Sequence, residues 1–148
     1  MATTRAPSGV AHDVWTAVSE LWLAERPRIT AALAELGLHP GLALALRMLE
    51  PGEPRPMSTL AGQLRCDASN VTNIADRLEA AGLVERRPGD NDRRVKTLVL
   101  TPHGEEVRER VAAIWREPPG AVAALPEEDL RALRRILDRA LGRGAAGG

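Results

Sequence analysis

The sequence predicts a mainly α-helical protein with a small β-hairpin, and three observations carry that reading. Apolar residues recur at helical spacing over most of the 148 residues. One stretch, 83–101, instead places two β-compatible runs around dense turn chemistry, Pro88-Gly89-Asp90-Asn91-Asp92. Phe and Tyr are absent and the aromatics are Trp15, Trp22 and Trp115, so the core must be built from Leu, Val, Ala and Ile.

The elements follow in order. Val10, Val14, Trp15, Val18, Leu21 and Trp22 make a helical stripe that begins near residue 8. Pro27 either kinks this helix or splits off a second piece over 29–36, which Gly37 ends. Pro40 suits a first helical position ahead of a short, nearly all-apolar helix over 41–49. The run Pro51-Gly52-Glu53-Pro54-Arg55-Pro56 reads as a stiff loop. Residues 58–64 have the length of a short helix. Asp67 then offers an N-cap carboxylate to a helix over 67–81, and Gly82 supplies the left-handed stop.

On that helix Val71, Ile74, Ala75 and Leu78 fall at i, i+3, i+4 and i+7 and form one buried stripe. The other face shows Ser69, Asn70, Thr72, Asn73, Asp76 and Arg77. Short or forked hydrogen-bonding side chains of this kind suit base edges in a major groove, although many such faces are simply solvated. Two helices joined by a turn and followed by a hairpin make a winged helix-turn-helix.

The hairpin strands are expected over 83–87 and 95–101. Arg86, Arg87, Arg93, Arg94 and Lys96 crowd them, where they can meet phosphates or a narrow minor groove. Asp90 and Asp92 would repel DNA if they faced it. Their expected task is to accept turn N–H groups and pair with a wing arginine, which orients the tip.

Pro102 opens the next helix, which runs through Trp115 with Val107, Val111, Ile114 and Trp115 on its apolar side, and Pro118-Pro119 stops it. Pro126 sits at a first-turn position of the last helix, followed by Glu127, Glu128 and Asp129 at the positive dipole end. Leu130, Leu133, Ile136, Leu137 and Leu141 form its stripe. The winged motif alone cannot cover large apolar stripes at both ends of the chain. A symmetric dimer with interleaved first and last helices would bury them. It would also set two copies of the 67–81 helix about 34 Å apart, on an inverted-repeat operator.

Composition narrows the function. One cysteine excludes an intrachain disulfide framework and a cysteine-cluster metal site. No apolar run approaches eighteen residues and no signal-peptide pattern opens the chain, so a cytoplasmic protein without membrane partners is expected. The net charge is zero, which argues against a non-specific nucleic-acid coat protein. Lys96 is the sole lysine, and residues 63–96 hold seven basic and six acidic side chains, so DNA binding requires the two signs to be segregated. His12, His39 and His103 are scattered, without the pairing metal ligation needs. No nucleophile-base pair, carboxylate dyad or phosphate-cradling loop is visible. No catalytic residue, metal or cofactor is therefore assigned, and an enzyme is not expected.

The segment Asp76-Arg77-Leu78-Glu79-Ala80-Ala81-Gly82-Leu83-Val84-Glu85-Arg86-Arg87, then Asp90-Asn91-Asp92-Arg93-Arg94 and Leu98-Val99-Leu100-Thr101-Pro102-His103-Gly104, closely resembles the MarR family, named for regulators of multiple antibiotic resistance. The resemblance implies a single domain over 1–148, with dimerisation helices at 9–36 and 103–141 and a winged DNA-binding lobe at 40–101. It implies a homodimeric transcriptional repressor of double-stranded DNA whose binding responds to a small molecule. Ser69, Asn70, Thr72, Asn73, Arg77, Arg93 and Arg94 are then the DNA-contacting candidates, with Asp90 and Asp92 orienting the wing. Effector pockets in this family lie between dimerisation helices and winged lobe. Trp22, Arg47, Met48 and Trp115 are the candidates here, with the arginine meeting an acidic aromatic ligand. Peroxide-sensing members carry their reactive cysteine in the first helix. Residues 9–36 contain none, so Cys66 reads as a packed thiol. The alternative is a winged helix serving as a protein-interaction module, which would need apolar anchors on the exposed stripe of the 67–81 helix.

Overall fold

The computed structural model describes residues 9–143. They divide into two compact units, with the boundary after Arg116.

The first unit opens with α1 (Gly9–Glu35), a single helix of 27 residues with Pro27 inside it. The proline therefore does not split the helix. Gly37, at φ +70°, ends the helical path, and Leu38 donates its N–H back to the Leu33 carbonyl at 3.0 Å. Only Ile29 and Leu33 of α1 are buried, while Val10, Val14, Trp15, Val18, Leu21 and Trp22 are all exposed. Helix α2 (Pro40–Arg47) starts with proline at its first turn. Its cap is His39, whose Nδ1 accepts the Gly41 N–H at 3.2 Å. That role for a histidine carries no sequence signal of its own.

The expected stiff loop contains a short strand, β1 (Arg55–Pro56), ahead of α3 (Met57–Leu64) and α4 (Ala68–Ala80). Strands β2 (Val84–Pro88) and β3 (Lys96–Leu100) follow, and the sheet order is β1-β3-β2, all antiparallel. The wing is thus three-stranded rather than the two-stranded hairpin expected. The pairing partner lies far along the chain, and Pro56, which has no N–H to donate, fits only at the edge of the sheet. Arg55 stands opposite Leu98 and Pro56 opposite Thr97. Helix α5 (Pro102–Arg116) closes the unit.

The core of this unit contains Leu33, Leu46, Leu49, Leu60, Leu78, Val84, Leu98 and Val111, all essentially without exposure. Its fully buried side chains are aliphatic, with Met48, Met57, Cys66 and Trp115 packed half-buried against them. Arg108 on α5 reaches Glu50, after α2, at 2.8 Å and ties two core-packed segments at the surface.

The second unit holds α6 (Gly120–Ala123) and α7 (Glu127–Ala140). Pro126 caps α7 without a side-chain hydrogen bond, and Glu127, Glu128 and Asp129 supply negative charge at the unsatisfied N–H groups instead. No residue of α7 is buried, and Ile136, Leu137 and Leu141 are exposed. No single helix among the described residues is long and apolar enough to cross a membrane.

Candidate nucleic-acid interface

Helix α3 ends where Arg65 turns left-handed at φ +51°, and Cys66 donates its N–H to the Ala61 carbonyl at 3.1 Å. Cys66 itself is half-buried and packs against the core. The next residue, Asp67, caps α4: one carboxylate oxygen accepts the Asn70 N–H at 2.8 Å and the Ser69 hydroxyl at 2.7 Å. These two donors, the hydroxyl first, hold the Asp67 carboxyl below its ordinary value. At the other end Gly82, at φ +70°, lets Leu83 donate to the Leu78 carbonyl at 3.0 Å.

The roll of α4 about its axis is set by what it buries. Val71, Ala75 and Leu78 lie inside and Ile74 is half-buried. Burying one leucine contributes about 1.5–3 kcal/mol, whereas one surface hydrogen bond nets about 0.5–1.5 kcal/mol. The apolar stripe therefore decides the orientation, and Ser69, Asn70, Thr72, Asn73, Asp76 and Arg77 are left exposed.

The hairpin beside it is fixed from both ends. Its strands pair from Val84 opposite Leu100 to Pro88 opposite Lys96, and the buried Thr97 donates its hydroxyl to the Arg87 carbonyl at 3.0 Å. At the tip Gly89 N–H meets the Val95 carbonyl at 2.7 Å, and Val95 N–H meets the Asp92 carbonyl at 3.0 Å. A Cβ on Gly89 would lie 2.9 Å from the Asp92 carbonyl oxygen, so the turn excludes a side chain there. The Asp92 carboxylate accepts the Arg94 N–H at 2.9 Å. Among the described residues neither Asp90 nor Asp92 forms an ion pair with an arginine, and Asp90, Asp92, Arg93, Arg94 and Lys96 are exposed.

At its base the hairpin is joined to α5 by Thr101. The hydroxyl donates to the Gly82 carbonyl at 2.6 Å and accepts the Gly104 N–H at 2.9 Å. Gly104 packs so closely on β2's approach that a Cβ would stand 1.8 Å from the Leu83 carbonyl oxygen. The Leu-Thr-x-x-Gly motif thus has a steric cause.

Charge is segregated by pairing. Arg86 leaves the wing's outer surface for α4, where it meets Asp76 at 2.5 Å, Glu79 at 3.0 Å and the Thr72 carbonyl at 3.4 Å. Its own N–H also donates to Glu79 at 3.3 Å. Arg87 pairs with Glu85 at 2.9 Å. Arg86 is thereby turned inward from the phosphate-facing position the sequence suggested, whereas Arg87 shares one exposed carboxylate and stays more than half exposed itself. Within residues 63–96, with these pairs set aside, Arg65, Arg77, Arg93, Arg94 and Lys96 face Asp67, Asp90 and Asp92, so the remaining charge of this segment is net positive. No periodicity in the sequence marks Arg86 as different from its neighbours.

The four pocket candidates lie in different surroundings. Trp22 and Trp115 line one small cavity of about 100 Å³ with Arg26, Ile29, Thr30 and Pro40. Arg47 is not in that lining but stacks on the Trp115 ring, its Cζ 4.8 Å from the centroid. Met48 packs, half-buried, against the core. Arg26 and Thr30, which sequence reasoning missed, supply the polar part of the cavity wall.

The chain is similar to proteins of known type along most of its length. A family model described as "MarR family" matches residues 38–96. The transcriptional repressor MprA of Escherichia coli is 43% identical over 72 residues, covering 47% of this chain and 41% of that protein. The chain thus spans about two fifths of that relative's length. The transcriptional repressor MdtR of Bacillus subtilis is 30% identical over 101 residues, covering 68% of this chain and 65% of its own. Among solved structures, AbsC, a MarR family transcriptional regulator from Streptomyces coelicolor, superposes with a TM-score of 0.69 at 28% identity, over 94% of this chain and 97% of AbsC. These relatives are named as regulators of transcription, not as enzymes. The family-model match over residues 38–96, the repressor relatives and the MarR-family structure together place the chain in the MarR family.

Proposed function

We propose that this protein is a homodimeric, sequence-specific regulator of transcription, a repressor released by a small molecule. The observation that carries the reading is the exposed set Asn70, Asn73 and Arg77 on α4 beside Arg93, Arg94 and Lys96 on the wing. None of them is committed to an ion pair among the described residues. Amides and a guanidinium on a helix read base edges, and arginines on a wing meet phosphate or the minor groove. Protein docking is the weaker reading, because the exposed stripe offers no apolar anchor.

Dimerisation is supported by α1 and α7, each of which leaves large apolar side chains exposed. Contiguous exposed apolar stripes mark a covered interface. The domain reading follows: 9–36 and 103–141 bind the second copy, and 40–101 reads an inverted repeat. Effector release is supported by the Trp22–Trp115 cavity, with Arg47 adjacent. Its volume is below the roughly 300–1,000 Å³ of ordinary ligand sites, so an aromatic acid requires the tryptophans to part. The cytoplasm, where DNA is available, is the matching compartment.

Selection of bound duplexes from random DNA tests this reading. It should recover an inverted repeat, bound by one dimer in sedimentation. Asn73→Ala should then lose about 1–3 kcal/mol on the operator and little on random duplex. Failure to enrich any sequence would refute the proposal.

A further inference from the structure

Two parallel rows of side chains run along the exposed face of α4, and their hydrogen bonds set them apart. Asn70, Asn73 and Arg77 stand at i, i+3 and i+7, as do Ser69, Thr72 and Asp76 on the adjacent row. In the second row every proton is already in use. Ser69 donates its hydroxyl proton to the Asp67 carboxylate at 2.7 Å, and Thr72 donates its own to the Ala68 carbonyl at 2.8 Å. Asp76, an acceptor by nature, is occupied by Arg86 at 2.5 Å.

A hydroxyl has one proton and two lone pairs. With the proton held inside the protein, only lone pairs face outward. The bond from Ser69 is the firmer of the two because it ends on a carboxylate, and charge-assisted bonds are about twice as strong as neutral ones. Giving it up for a base oxygen or ring nitrogen would be uphill. A phosphate oxygen also needs a donor, and the exposed Asp67 carboxylate next to Ser69 repels it. What remains as a partner is a neutral N–H donor in the major groove, which means N4 of cytosine or N6 of adenine.

The geometry points to Ser69, held by Asp67, as a specificity-determining residue that favours cytosine or adenine over guanine or thymine at the base edge it meets, since only those two present an amino donor there. Thr72 extends the same acceptor row. The neighbouring row differs: the Asn70 and Asn73 amides offer donors and acceptors, and Arg77 offers donors alone. The helix therefore presents an uneven face, acceptors alone on one side and mixed donors and acceptors on the other. Asp67 remains ionised at neutral pH, since the Ser69 hydroxyl and the Asn70 N–H hold its carboxyl below the ordinary value. The inference rests on the DNA-reading role proposed above.

The test uses the full chain and the operator recovered by selection. Each cytosine in a half-site is replaced in turn by 2-pyrimidinone and each adenine by purine, which deletes single amino groups. At one position in each half-site the unaltered protein should bind about two- to tenfold more weakly, the range of one hydrogen bond. Ser69→Ala should bind the intact and amino-deleted duplexes equally there, and Ser69→Thr, which keeps the hydroxyl, should retain the sensitivity. Circular dichroism checks that each variant is folded. Whether the sensitive base is cytosine or adenine is read from which replacement matters. The inference is overturned if Ser69→Ala stays sensitive at every amino position. It is overturned too if the coupling falls on a 7-deazaguanine substitution, which deletes an acceptor, or if Ser69→Ala weakens operator and random duplex alike. A recovered operator to which Ser69 is indifferent removes this inference alone, whereas no enriched sequence removes the DNA-reading role with it.

Discussion

The guanidinium of Arg86, on β2, donates to the carboxylate of Asp76, on α4, at 2.5 Å. Ten residues apart in the chain, the two belong to the two elements that would enter adjacent grooves. The same guanidinium reaches Glu79 at 3.0 Å, so one side chain ties the wing to the helix at two points on the surface. It also removes two carboxylates from the surface potential of the lobe. Arg86 is the less exposed partner, at 26%, against 58% for Asp76 and 41% for Glu79.

Arg86→Ala should therefore cost little stability and much binding. The exposed partners limit the stability loss to about 1 kcal/mol, read by chemical denaturation. Operator affinity should fall by tenfold or more, because the wing loses its anchor and Asp76 and Glu79 are uncovered toward phosphate. Arg86→Ala combined with Asp76→Asn should recover part of the loss if repulsion dominates. No recovery assigns the whole effect to wing position.

Gly104→Ala should fail differently. The added Cβ would stand 1.8 Å from the Leu83 carbonyl oxygen, and backbone cannot yield as a flexible side chain does. A loss of about 3 kcal/mol or more is expected, since α5 must move off the strand or the helix start must unwind. Thermal unfolding by circular dichroism measures it, and a change below about 1 kcal/mol would contradict the packing described.

Asp92 separates two physical accounts of the wing tip by sign. Its carboxylate accepts the Arg94 N–H at 2.9 Å, so it fixes the backbone that carries Arg94. Simple electrostatics says that deleting an acid near DNA tightens binding; loss of the fixed tip says the opposite. Asp92→Ala should weaken operator binding. Asp92→Asn keeps an acceptor oxygen without the charge and should bind at least as well as the parent. Arg94→Ala should weaken binding strongly and lower the salt dependence by about one counterion. Fluorescence anisotropy at a series of stated salt concentrations decides each case.

Acid should loosen the start of α4, within a definite window. The Asp67 carboxyl lies below its ordinary value because it accepts from Ser69 and from the Asn70 N–H. A lowered value in the folded state means that the cap contributes fully above the ordinary value of 3.8 and loses its contribution as pH falls through the lowered one. Carbon-detected NMR titration of Asp67 should give a midpoint under 3.8, and Ser69→Ala should raise it. A midpoint at or above 3.8 in the parent would show that the cap is not formed.

Local rules made much of this protein legible in its sequence. Asp67, Gly82 and Gly37 mark helix ends because caps and left-handed turns depend on a few neighbouring atoms. The stripe of Val71, Ala75 and Leu78 marks the buried side of α4, and with it the exposed Asn70, Asn73 and Arg77, because 3.6 residues per turn is a property of the backbone. What depends on distant segments was not legible. Arg55 and Pro56 read as loop because their strand partner, β3, lies some forty residues further on. His39 gave no sign of capping α2. Arg86 looked like one of five equivalent wing cations, since only the packing of β2 against α4 brings Asp76 and Glu79 within its reach. Gly104 was visible as a motif letter, yet its reason is the Leu83 carbonyl 21 residues earlier. The sequence by itself determined which side of each helix is apolar and where each helix stops. Only the tertiary structure decided which charges are paired and which are left to act, because pairing depends on separations across the fold and backbone periodicity does not encode those.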